Sequence, residues 1–391
     1  MRRTISTAMG LALVFATAIA PAEEASWDYS ANVELQTRLF ARDPLWVGQS
    51  SAAGQASVAA TAEIRWRNAD GNQRTSLIPY LRWDSTDSER SLVDLHEAYW
   101  AWEGDGVEVL VGANTVFWGV SESVHLVDIV NQTDLVADVD GEHKRGQPMI
   151  NVEVQRDWGL ISAYLLPYFR ERTFPGADGR FRPPLPIDTD RPLFESSAGR
   201  DHVDVALRYS HYIGDIDIGV SLFSGTSREA RFTVAADGTA LLPSYDLIDQ
   251  AGLDLQYTRD AWLWKLEAIV RNARSHTFAA AVGGFEYTFY QVGDSAADVG
   301  LLLEYQYDGR NAQEPVTVAD NDVFVGTRLA LNDTQDTAIL AGVAYDAESG
   351  ETFLNIEAER RIGDAWVFEL RARGVSGADP GDITDSFVND D

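Results

Sequence analysis

Within eight residues of one another, Ser121, Ser123, His125 and Asp128 supply the side-chain types of a hydrolase: hydroxyl nucleophiles, an imidazole base and a carboxylate to orient it. Neighbours in sequence do not make a triad, however, because the three groups must converge in space, and a histidine in such a stretch serves more simply as a hydrogen-bonding residue. Just downstream, Asp138-Val139-Asp140-Gly141-Glu142 resembles part of a calcium loop but lacks the preceding ligand at the required spacing, so a solvated loop is the better reading. The chain has no nucleophile elbow, phosphate-cradling glycine loop or paired-histidine zinc motif. No catalytic residue, metal or cofactor is expected, and the protein is not read as an enzyme.

These residues share one stretch, Val116 to Gly146, about thirty residues long, which fits neither a strand nor a tight turn. Leu126, Val127, Ile129, Val130, Leu135 and Val136 make it too apolar for a solvated tail, while Glu122, Asp128, Asp134, Asp138, Asp140 and Glu142 make it too acidic for a dry core. Both characters together suit the inside of a water-filled barrel, with the apolar side on the wall and the carboxylates toward the lumen. Glu122, His125, Asp128, Asn131, Asp134 and Asp138 are then the expected residues of a pore constriction.

The rest of the chain supplies the wall. Val33, Leu35, Thr37 and Leu39 alternate with Asn32, Glu34, Gln36 and Arg38, and Trp262, Trp264, Leu266, Ala268 and Val270 alternate with Lys265, Glu267 and Arg271. About seventeen such segments can be counted, each near the ten residues that cross an outer membrane when tilted. Pro79, without an N–H, predicts a bulge in one of them. Connections are tight after even-numbered segments, at Ala69 to Asn72, Gly104 to Gly106, Arg156-Asp157, Gly214-Asp215, Arg259-Asp260 and Gly363-Asp364, and many are long after odd-numbered ones. A barrel inserted from the periplasm keeps short turns inside and long loops outside. Trp158, Trp262 and Trp366 follow the short turns, where an interfacial aromatic girdle would lie. The proline-rich loop from Glu171 to Arg200 is expected to stay out of any sheet.

The inward faces carry both signs of charge, which implies a hydrated lumen, although a ladder of cross-strand ion pairs would use the same residues. Barrel closure brings the first strands beside the last, so Arg38, Arg65, Arg67, Arg82, Arg361, Arg371 and Arg373 are expected to form one basic sector of wall facing the acidic loop.

Arg2 and Arg3, the apolar run Met9 to Ala20 and the small-x-small Ala20-Pro21-Ala22 read as a signal peptide over Met1 to Ala22, leaving residues 23–391 as the barrel. Its removal takes away two arginines and no acid, for a formal charge of -32, which makes nucleic acid an unsuitable partner. No later apolar run is long enough for a membrane helix, and the absence of cysteine excludes disulfides and thiolate metal sites. Single-chain barrels normally have an even strand number and finish on an aromatic that the insertion machinery recognises. This chain ends on Asp390-Asp391, and about eighteen strands, the last beyond Asp391, are expected in the intact protein.

The architecture resembles Gram-negative outer-membrane porin-like barrels. The run from Phe117-Trp118-Gly119 to Asp128-Ile129-Val130-Asn131-Gln132-Thr133-Asp134-Leu135 is similar to a W-G … D-x-x-N-x-x-D-L signature of uncharacterised and alginate-export-like barrels, with Gln132 where proline is the rule. The resemblance implies passage of a solute and not chemistry upon it. The expectation is therefore an all-β transmembrane antiparallel barrel in the outer membrane, amid lipid and lipopolysaccharide, acting as a porin-like channel for small hydrophilic or amphipathic solutes. A barrel hydrolase acting on lipid or peptide, and a plugged structural or surface-binding barrel, are the alternatives.

Overall fold

A computed structural model describes residues 6–15, 25–274, 276–318 and 320–378. The expected cleavage site at Ala20 to Ala22 and the C-terminal residues 382–391 lie outside them. In chain order the strands are β1 (Ser6–Phe15), β2 (Ser26–Leu39), β3 (Gly54–Arg67), β4 (Gln73–Asp84), β5 (Leu92–Gly104), β6 (Val107–Asn114) and β7 (Gln147–Arg156). They continue with β8 (Gly159–Leu166), β9 (Leu193–Phe194), β10 (Asp204–Ile213), β11 (Ile216–Thr226), β12 (Arg231–Val234), β13 (Leu241–Tyr245) and β14 (Leu247–Arg259). The last seven are β15 (Trp262–Asn272), β16 (Thr277–Phe289), β17 (Asp298–Asp308), β18 (Asp322–Ala330), β19 (Ala338–Asp346), β20 (Thr352–Ile362) and β21 (Trp366–Ser376).

Seventeen of these, β2 to β21 without the short β9, β12 and β13, pair antiparallel with their neighbours in sequence to form one continuous sheet. The seventeen do not close on themselves. β2 and β21 each pair instead with the backbone of β1, which runs antiparallel to both, from Ser6 beside Arg373 to Leu13 beside Trp366. The stretch read as a signal peptide thus occupies an eighteenth strand position.

Polarity is inverted relative to a soluble core. Leu35, Leu81, Leu207, Leu222, Val270 and Leu301 are exposed on the outer face, whereas Gln36, Arg82, Asp254, Glu267, Arg271 and Glu304 are buried inside. Alternation along each strand produces this, since successive side chains point to opposite faces. The two-residue turns, 105–106, 157–158, 214–215 and 260–261, all lie at one end, and the connections of more than ten residues all lie at the other. At Asp105-Gly106 both central residues have positive φ, 51° and 66°, which matches the twist of the flanking strands. Exposed aromatics lie at both ends: Trp158, Trp262 and Trp366 at the short-turn end, where Trp262 stacks on Trp264 at 5.5 Å between ring centres, and Trp83, Tyr305, Tyr307 and Tyr345 at the other. The pairing of β4 with β5 shifts register between Ile78 and Pro79, the bulge that proline demands.

Two expectations change. The proline-rich loop does enter a sheet: Leu193–Phe194, directly after Pro192, pair parallel with Ser244 and Tyr245, and with β12 they make a three-stranded patch at the long-loop end. Proline bars its own N–H from a ladder but not those of the residues after it. The apolar alternation from Phe285 to Val292 leads one to expect a strand there, but β16 starts at Thr277 and ends at Phe289, because Ala279, Ala280 and Ala281 pair with β15 in spite of their weak apolar signal.

Candidate functional site: a loop held across the lumen

The connection between β6 and β7, residues 115–146, turns into the barrel. Asn131, 2% exposed, sits where it enters and leaves. Its Oδ1 accepts from the Val116 N–H at 2.8 Å, and its Nδ2 donates to the carbonyls of Asn114 at 2.9 Å and Arg145 at 2.8 Å, so one amide ties both stems together. Gly146 passes so close to the Leu95 and His96 backbone that a Cβ would collide there. From this base Trp118, Val127, Ile129 and Val130 pack into one buried cluster with Tyr164, Phe223, Ile248 and Ile269 of the inner wall. Apolar residues on the inside of a hydrated barrel are thereby removed from water.

The tip is fastened by two wall carboxylates. Glu267 on β15, fully buried, accepts the backbone N–H groups of Val120 at 2.7 Å and Ser121 at 2.9 Å on one oxygen and of Val127 at 3.2 Å on the other. Glu304 on β17 accepts the N–H groups of Glu122 and Ser123, both at 2.8 Å, and the Ser123 hydroxyl at 2.5 Å. Hydrogen bonds to an ionised acceptor are stronger than neutral ones, so five from backbone N–H groups and one from a hydroxyl form a substantial anchor. His125 adds an ionic clamp, with Nε2 3.1 Å from Glu142 and Nδ1 3.8 Å from Glu267. Burial alone would lower its pKa, but the close contact with Glu142 and the charges of both carboxylates prevail and push it up to about 10. His125 is therefore an imidazolium at neutral pH. Glu142 is held below the ordinary carboxylate range, burial being outweighed by His125.

The far limb of the loop meets the opposite wall. Asp138 bridges Arg371 at 2.6 Å and Arg373 on β21, and Asp140 accepts from Arg373 at 2.8 Å. Arg38 on β2 donates to the Ala137 carbonyl at 2.8 Å. Arg90 donates to the carbonyls of Val136 and Ala137 while paired with Asp84 at 2.9 Å. Burial pushes the Asp138 carboxyl up, yet Arg373, Arg38 and Arg371 hold it well below the ordinary range. The loop thus spans the lumen from a carboxylate wall to a guanidinium wall, and each wall grips the part of the loop that complements it.

The expected constriction residues divide accordingly. Glu122 reaches Arg328 at 2.7 Å and Lys265 at 3.5 Å, and with Asp138 it faces wall cations. Asp128 and Asp134 do not reach that wall. Asp128 is engaged by Lys144 at 3.0 Å and the Trp118 N–H at 3.3 Å, and burial raises its pKa in spite of Lys144. Asp134 accepts the Thr173 hydroxyl at 2.6 Å and the N–H groups of Val136 and Ala137. Both carboxylates shape the loop and its contact with the next one. Of the basic sector, Arg38, Arg371 and Arg373 meet the loop, and Arg82 is buried over the Tyr80 ring at 5.4 Å. Arg65, Arg67 and Arg361 do not come to it. They lie near the short-turn end, with Arg65 paired to Glu63 at 3.0 Å, Arg67 beside Arg74 in the ladder, and Arg361 3.5 Å from Asp336. Alternation had placed all seven on the inner face, but their height on the wall separates them. Glu267, Glu304, Arg90 and Lys265 are the contributors that residue type alone did not distinguish from other inward charges.

Between the loop and the β17–β21 wall lies a cavity of about 950 Å³, lined by both signs of charge and by Phe324, Leu340 and Phe353. A second patch, Phe169, Phe174, Ala230 and Tyr245, joins the later loops over part of the mouth.

No family model and no curated protein matches the chain. Among solved structures it is similar to Wzi of Escherichia coli, described as a carbohydrate-binding outer-membrane β-barrel involved in group 1 capsule assembly (9% identity, TM-score 0.48, covering 95% of this chain and 84% of that one). It is also similar to the outer-membrane protein OmpT of Vibrio cholerae (8%, 0.45, 96% and 99%) and to the outer-membrane channel DcaP of Acinetobacter baumannii (9%, 0.44, 93% and 100%).

Proposed function

We propose that the protein is an outer-membrane channel of a Gram-negative bacterium, through which small hydrophilic or amphipathic solutes diffuse past the inward loop. The location rests on the inverted polarity, an apolar outer belt with aromatics at both ends, which suits a surround of lipid and lipopolysaccharide and would be costly in water. The channel reading rests on one observation above all: the loop is tied to the wall on both sides while a cavity lined by both signs of charge remains beside it. A constriction of this kind selects by size and field.

The hydrolase alternative requires His125 as a neutral base next to a serine. His125 is instead paired with Glu142, and the Ser123 hydroxyl is committed to Glu304. The plugged-barrel alternative draws on the aromatic patch over the mouth.

Planar-bilayer recording of the purified protein separates these readings. Discrete conductance steps are expected, and replacing residues 117–143 by a short Gly-Ser linker should enlarge them. Absence of steps from correctly folded barrels would end the channel reading and leave the plugged one.

A further inference from the structure

The cavity beside the loop has a second group of arginines, remote from Asp138. Glu229, at the start of the connection between β11 and β14, receives Arg310 at 3.0 Å on one oxygen and Arg271 on the other. Arg310 also reaches Asp308 at 2.7 Å, and Arg172 from the proline-rich loop lines the same cavity. Among the described residues three guanidiniums therefore meet two carboxylates, which leaves one positive charge unmatched. Their donors are also incompletely used. Among the described residues Arg172 donates from its side chain only through Nε, to Gln132 at 3.3 Å, and the Nε–H of Arg310, a side chain 8% exposed, is buried without an acceptor. An unbalanced cation in such a partly buried group is costly, and the cavity that Arg172 lines is where a balancing anion would come from.

We propose that Arg172, Arg271 and Arg310 form a subsite for the carboxylate of a passing solute, which lies beside Glu229 and brings the group to neutrality. This deepens the channel reading, since the subsite faces the same cavity. A carboxylate is favoured because its two oxygens match the planar donor edge of a guanidinium. The inner-wall row of Phe324, Ala344 and Phe353, neighbours across β18, β19 and β20, offers an apolar surface in the same cavity for the remainder of a solute.

Saturation-transfer NMR on the folded full chain in detergent, with butyrate and its uncharged analogue butyramide as probes, tests this without any need for conductance. Butyrate should give transfer and butyramide little. Arg172→Gln should weaken butyrate about tenfold, the size of one lost charge-assisted bond. Glu229→Gln, which removes a competing negative charge, should tighten it. Heat-dependent gel mobility checks that each variant is folded, and if Arg172→Gln fails that check the Glu229→Gln arm decides. Equal transfer from both probes, or butyrate binding indifferent to the variants, would overturn the subsite. Selective butyrate binding without conductance steps would leave the subsite standing and remove the channel.

Discussion

If Glu267 holds the loop tip, Glu267→Leu should release it without unfolding the wall. The substitution puts an apolar side chain of similar bulk in the β15 ladder and removes the acceptor for the N–H groups of Val120, Ser121 and Val127. A buried amide left unpaired costs about 1–3 kcal/mol. Val120 is only half-buried, so water satisfies part of its need, and the three together come to roughly 3–5 kcal/mol of loop anchoring. At about 1.4 kcal/mol per tenfold, the released population rises by about two to three and a half orders of magnitude. Glu267→Gln grades the effect: its amide oxygen can keep Val120 and Ser121 while its NH2 opposes the Val127 N–H, at a cost of about 1–2 kcal/mol. Trypsin cleavage after Lys144 and Arg145, both on the loop, reports the release, and the heat-modifiable band reports the barrel. Cleavage should accelerate in the order wild type, Gln, Leu, with the band unchanged. Wild-type protection in Glu267→Leu would refute the idea that the wall carboxylates hold the loop.

The His125 clamp has a pH signature. Its folded pKa, about 10, lies above the ordinary 6.5, so its contribution is complete below about 6.5 and is lost as pH rises through about 10. Glu142, depressed in the folded state, contributes above the ordinary carboxylate range and loses its part as pH falls. Loop protection should therefore decline on the alkaline side, and His125→Gln should flatten that limb of the protease profile. Arg371→Gln with Arg373→Gln leaves Asp138 buried against fewer cations, and breaking such a pair costs about 3–5 kcal/mol when fully buried and less at these partly exposed arginines. Single-channel selectivity should move toward cations and the open-channel current should become noisier. Arg65→Gln and Arg361→Gln, at half-exposed pairs away from the loop, should alter selectivity little and stability by less than about 1 kcal/mol, checked by reversal potential and by the heat-modification midpoint.

Period-two alternation carried most of the architecture, because in a barrel every strand has one face toward lipid and one toward the lumen. The seventeen wall strands, the segregation of short turns, the bulge at Pro79 and the apolar and acidic character of residues 116–146 were all legible from residue order. Alternation assigns a face and not a height. Arg38 and Arg65 share the inner wall, yet only the stagger of the strands decides that Arg38 stands level with Ala137 and Arg65 near a turn. The anchoring of the loop was hidden for a different reason. Glu267 and Glu304 bind backbone N–H groups, which nearly every residue possesses, so no pattern of side chains marks the pairing and only the folded path of the loop selects it. In the same way, Asp128 and Asp134 are indistinguishable from Asp138 by type and spacing, and the tertiary structure alone turns two of them inward to shape the loop and one outward to meet the arginines.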